Sequence, residues 1–230
     1  GLTLTPPENI KTQIEENHST LDQVKEGLRY ILHNRIFLVL ISLSYASMFF
    51  GMSHMQLMPA FSELLGAGEK GYGLLLSATG VGAVIGTILI GTFQQSQKLG
   101  RIMLSCAVLA AISVYIFAFA SAYASSMSMA YWLAMFAILI AAAFNSMYMI
   151  SSMTVLQLNV PEHLRGRVMG FHGITYSMIP LGGLLAGFIA SYSSPPIAIA
   201  IGTSLYLLFI IFIIVSQGKI RRISGVDFLK

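Results

Sequence analysis

The chain has 230 residues, of which 56% are hydrophobic and only 10% charged, and its mean hydropathy is +0.76. A soluble domain carries charge on about a quarter of its residues, so this sequence lacks the surface that water demands and reads as a protein solvated by lipid. The net charge of +4 does not indicate a nucleic-acid binder, because the basic residues lie in short clusters between long apolar runs; the single cysteine, Cys106, excludes an internal disulfide or a cysteine metal site.

The chain begins on Gly1 and has no apolar segment of signal-peptide type near it, which reads as an internal piece of a longer protein. Residues 1–18, GLTLTPPENIKTQIEENH, are polar with two prolines and are expected to be flexible. From Ser19 the pattern changes: Leu21, Val24, Leu28 and Ile31 recur at helical spacing, and Thr20 with Gln23 has the form of a capping box. Residues 1–34 are thus expected to be a cytoplasmic linker ending in a short amphipathic helix along the inner membrane face.

Six apolar runs follow, at about 36–60, 72–94, 102–120, 129–158, 168–190 and 197–217, each long enough to cross a bilayer as a helix of roughly 20 residues; the fourth is longer, and its more polar end, SSMTVLQLNV, is expected to project beyond the hydrocarbon. In the last of them, LYLLFIIFIIV, Tyr206 is the one residue that is not Leu, Ile, Phe or Val. The runs lack the alternation of a membrane β-barrel strand. The expected fold is an all-α polytopic membrane protein: a six-helix transmembrane bundle over 35–218 and a cytoplasmic tail over 219–230.

Charge in the breaks sets the orientation. Lys25, Arg29 and Arg35 precede the first run; Lys98 and Arg101 lie in the second break, Arg165 and Arg167 in the fourth; Lys219, Arg221 and Arg222 follow the sixth. The other three breaks, ELLGAGEKG, SAYASSMS and SYSSPP, hold Lys70 as their one basic residue. Basic residues are retained on the cytoplasmic side, so both termini are expected in the cytoplasm of a multi-pass protein of the cell (inner) membrane. The stretch PEHLRGRVMGF then becomes the cytoplasmic turn between the fourth and fifth helices, where Arg165 and Arg167 can anchor a helix end at an anionic leaflet.

Within the spans, Gly82 and Gly86 form one GxxxG and Gly183 and Gly187 another, the usual device for close helix packing in lipid. Each belongs to the middle helix of a set of three, and three crossings invert topology, a pattern compatible with the 3+3 inverted repeat of transporters. Intramembrane polar groups are candidates for function. Ser44, Ser47, Gly51 and His54 share a face at helical spacing, as do Asn145, Tyr148 and Ser152, and His172 and Tyr176 stand one turn apart. They either border a central cavity or hydrogen-bond between helices. Met48, Met52 and Met55, with Met147, Met149 and Met153, suit a cavity for varied apolar ligands or ordinary packing equally. No nucleophile, base and carboxylate recur together, no metal-ligand cluster or phosphate loop is visible, and the expectation is of no enzyme, catalytic residue, metal or cofactor.

Two stretches carry a resemblance. QLMPAFSELLGAGEKGYGLLLSATGVGAVIGTILIG, residues 56–91, resembles the seventh and eighth helices of the major facilitator superfamily, in its branch of bacterial drug and siderophore exporters, enterobactin exporters and macrolide efflux proteins among them. NVPEHLRGRVMGFHG, residues 159–173, resembles the turn between the tenth and eleventh helices. The resemblance implies the C-terminal half of a twelve-helix secondary transporter, lacking its N-terminal six-helix half, that exports a small-molecule amphipathic substrate by alternating access driven by an ion gradient. The family's GxxxD(R/K)xGR turn has a degenerate counterpart in GTFQQSQKLGR, with Lys98, Gly100 and Arg101 in place but Gln97 at the acidic position and Phe93 at the first glycine. Exposed ion pairs worth about 0–1 kcal/mol suit a latch between two nearly balanced states, so Glu162, Arg165 and Arg167 with Lys98 and Arg101 are expected to form a cytoplasmic gate. No span contains a carboxylate for proton coupling, which leaves the missing half, His54, His172 or Glu63 for that role. A non-transporting membrane scaffold or truncated gene product is the alternative.

Overall fold

The computed structural model describes residues 20–93, 96, 98–124 and 129–216. The expected flexible segment 1–18, the capping box of Thr20 and Gln23, the Gln97 position and the basic tail of Lys219, Arg221 and Arg222 lie outside the residues whose structure or side chains are described. Among the described residues there are helices and turns and no strand.

The amphipathic segment is α1 (Thr20–His33). The first span, Arg35–Leu64, is a broken rod: α2 (Arg35–Ala46), a π turn at Ser47–Gly51, a 3-10 turn at Ser53–Met55 and α3 (Met58–Leu64). Asn34 caps α2, its side chain accepting from the Ile36 amide at 3.2 Å. Pro59 explains the second break, since it lacks an N–H and its ring crowds the carbonyl four residues earlier; it is tolerated only at the start of a new helix, where α3 places it. Three uninterrupted spans follow: α4 (Gly68–Phe93), α5 (Leu99–Ala122) and α6 (Ala130–Asn159). The fifth, Glu162–Tyr192, is α7 (Glu162–Ile174), a 3-10 turn at Thr175–Ser177 and α8 (Met178–Tyr192), the turn standing just ahead of Pro180 for the same reason. The sixth is α9 (Pro195–Ser216).

The spans thus match in number and order, but the fourth break is shorter than expected. Only Val160 and Pro161 separate α6 from α7, so Glu162, Arg165 and Arg167 belong to the first two turns of a helix rather than to a turn between helices. Glu162 in the first turn complements the helix dipole.

The seams depend on glycine. At Gly82 an added Cβ would run into the Leu139 carbonyl, and at Gly86 into that of Ala143, so α4 lies backbone to backbone along α6. Gly182 meets the Phe49 carbonyl of the π turn in the same way, and Gly183 meets the Gln56 side chain, bringing α8 onto the broken first span. Gly187 faces open space. Tyrosines bridge other helices: Tyr131 Oη donates to the Gly71 carbonyl at 3.0 Å, and Tyr115 Oη to that of Ala200 at 3.0 Å, with Ser204 alongside.

The buried side chains form two clusters. One gathers Phe37, Leu40, Met103, Tyr148, Val155, Val168 and Ile210 at the end nearer α1; the other gathers Met58, Phe61, Leu75, Phe117, Ile138 and Ile199 at the opposite end. Between them lies a cavity.

Candidate functional site

The cavity has a volume of about 130 Å3. It is lined from α4 by Thr79 and Ala83, from α5 by Ala110, Ala111 and Val114, from α6 by Ala141, Ala142, Asn145 and Ser146, from α9 by Thr203 and Tyr206, and from the broken first span by Gly51, Met52, His54 and Met55. These residues sit near the middle of α4, α5, α6 and α9, so the cavity falls at the depth of the bilayer midplane. The helices come apart there for two local reasons. Alanines on α5 and α6 leave room that larger side chains would occupy, and the π turn at Ser47–Gly51 diverts the first span just before His54. Single π turns of this kind are frequent at functional sites.

The polar groups around it are uncharged hydrogen-bonding groups. His54 is 4% exposed, and its Nδ1–H donates to the Gly51 carbonyl at 2.9 Å, which leaves Nε2 as the ring nitrogen without a protein partner. The Phe117 ring stands 6.4 Å from the imidazole. Asn145 and Ser146 project from α6, and Tyr206 from α9. Thr79 and Thr203 add hydroxyls, and the rest of the wall is glycine, alanine, valine and methionine, so the site offers neutral hydrogen-bonding groups on an apolar surface.

Of the polar residues singled out in the sequence, His54 and Asn145 border this cavity. Ser44, Ser47, Tyr148 and Ser152 are instead fully buried between helices: Ser44 Oγ donates to the Leu40 carbonyl at 3.0 Å and stands 3.5 Å from Ser152 Oγ. The Tyr148 hydroxyl approaches Ser44, Ser152 and Tyr206 but reaches hydrogen-bond geometry with no protein group. His172 is buried, whereas Tyr176, expected on the same face, is 54% exposed. The 3-10 turn at Thr175–Ser177 separates them, because each of its residues turns the chain by about 120° instead of about 100° and so carries Tyr176 round to the outside.

Thr79, Ser146, Thr203 and Tyr206 escaped the sequence reading. Thr203 and Tyr206 stand three residues apart in the most apolar run, and that spacing of polar groups was the available signal. At the α1 end, Arg167 forms an ion pair with Glu26, and Gly27 packs on Arg167 and Phe171, so α1 is tied to α7. Among the described residues, Lys98, Arg101, Glu162 and Arg165 are exposed and form no ion pairs with one another. No group of His, Cys, Asp or Glu that could hold a metal occurs among the described residues.

A bundle of six apolar spans with a midplane cavity and charge confined to the span ends is a multi-pass membrane protein of the transporter type. The chain belongs to the Major Facilitator Superfamily, whose family model matches residues 2–180 and, in a second placement, residues 57–225. No curated protein and no solved structure matches it.

Proposed function

We propose that the chain is the C-terminal six-helix half of a secondary active transporter that exports a small amphipathic compound, of drug or siderophore type, across a cell inner membrane by alternating access coupled to an ion gradient. In this reading residues 1–34 link the halves on the cytoplasmic side, both chain ends lie in the cytoplasm, and 35–218 form the bundle. The observation that carries it is a second small-residue face on α4. Gly73, Ser77, Gly80, Thr87 and Gly91 recur at helical spacing on the side opposite the packed Gly82 and Gly86 seam, with Val84 as the one larger residue among them, and all are exposed. On α7, Gly166, Gly170 and Gly173 form a like face with nothing near them. Beside this face α4 also exposes Leu74, Val81 and Ile88, whereas α9 exposes bulky groups without such a small-residue strip, Leu208, Phe212 and Val215 among them. Bulky side chains suit lipid, whereas small ones permit another helix to approach closely. A second bundle on these faces would complete a transporter.

The cavity supplies hydrogen-bonding groups to one portion of a substrate, with His54, Thr79, Asn145, Ser146, Thr203 and Tyr206 as its polar residues. Glu162, Arg165 and Arg167, with Lys98 and Arg101, serve as a cytoplasmic gate. The Glu26–Arg167 pair brings the linker helix into that gate, as a contact weak enough to break in each cycle.

The test is efflux by cells expressing the whole reading frame, across a panel of drugs and siderophores, with and without collapse of the proton gradient. Gradient-dependent efflux supports the reading, and Gly80→Leu with Gly170→Leu should abolish it while the protein stays inserted. Absence of efflux across the panel from well-inserted protein would contradict it.

A further inference from the structure

Outside the bundle, a groove of about 540 Å3 runs between α5 and α9, lined by Arg101, Leu104, Ser105, Val108, Leu109 and Ile214. Arg101 stands at one end, in the first turn of α5, and the groove continues along the helix to Leu109. Eight residues of helix rise about 12 Å, close to the roughly 15 Å thickness of one leaflet's hydrocarbon. Ile214 lies near the end of α9, which reaches the same membrane surface at which α5 begins, so the two walls share a depth.

The two ends of the groove differ in chemistry. Arg101 is exposed, and no carboxylate pairs with it among the described residues; Lys98, one turn before it, is exposed too. A guanidinium at headgroup depth is complementary to a phosphate, whose oxygens accept its planar fork of N–H groups. Below it the walls are aliphatic apart from Ser105. We infer that this groove binds one anionic phospholipid, with its phosphate on Arg101 and an acyl chain laid along Leu104, Val108 and Leu109 against Ile214. The occupant is a single lipid held in place by charge and shape, and the inference needs only that the bundle spans a membrane.

The test uses the full chain purified in detergent and presented with equal amounts of dioleoyl phosphatidylglycerol and dioleoyl phosphatidylcholine, the bound lipid being counted by native mass spectrometry. An arginine at an anionic lipid surface is worth about a fivefold preference, so the wild type should retain phosphatidylglycerol about fivefold over phosphatidylcholine. Arg101→Gln should level that preference. Ser105→Phe, which fills an exposed part of the groove, should lower retention of both lipids. Lys70→Gln, at the opposite ends of the spans, should change neither. The inference is overturned if Arg101→Gln keeps the preference, if Ser105→Phe retains lipid like the wild type, or if Lys70→Gln erases the preference equally, since lipid would then be held by diffuse charge.

Discussion

Gly82 and Gly86 look identical in sequence to Gly183 and Gly187, yet what stands opposite each of them differs. A side chain at Gly82 or Gly86 meets a backbone carbonyl of α6, which cannot move without shifting the helix, whereas Gly187 meets nothing. Gly82→Val is therefore expected to cost about 3 kcal/mol or more through overpacking, and Gly187→Ala to change stability by less than about 0.5 kcal/mol, read as thermal midpoints in detergent. Equal effects would show that α4 does not lie on α6 as described. Tyr148 offers a second test. A buried hydroxyl without a partner costs about 1–3 kcal/mol, so Tyr148→Phe should leave stability unchanged or raise it. A loss of about 1 kcal/mol would instead mean that the hydroxyl bonds Ser44 or Ser152.

At the scale of elements, apolar length is what a sequence displays most openly, and all six spans were legible from it. The interruptions within spans were not, because they redirect the chain without changing composition. Pro59 and Pro180 mark two of them by the hydrogen bond each cannot donate, but the π turn over Ser47–Gly51 has no proline and nothing apolar about it sets it apart. These turns decide which polar residues meet. Ser44 and His54, which share a face on an ideal helix, end in different surroundings, and His172 parts from Tyr176. The contact of α1 with α7 was likewise hidden, since Glu26 and Arg167 are 141 residues apart and only folding brings them together. Both side chains are partly exposed, so a double-mutant cycle with Glu26→Gln and Arg167→Gln should give a coupling of about 0.2–1 kcal/mol that fades with added salt. A coupling above about 2 kcal/mol would make the pair a permanent brace and contradict the gate proposed above.

For the whole molecule, the fold rests on charge being kept to the span ends while every span interior is neutral. The glycine seams then close α4 on α6 and α8 on the first span, and the alanines of α5 and α6 leave the midplane cavity between two packed clusters. All of this presupposes six crossings, which place residues 98 and 165 on one surface and residues 69 and 123 on the other. Single cysteines at these four positions, in a background with Cys106→Ala, can be probed in cells with a membrane-impermeant maleimide. The account predicts that Glu69→Cys and Tyr123→Cys react in intact cells, while Lys98→Cys and Arg165→Cys react only after the membrane is opened. Labelling of Glu69→Cys and Arg165→Cys from the same side would contradict it.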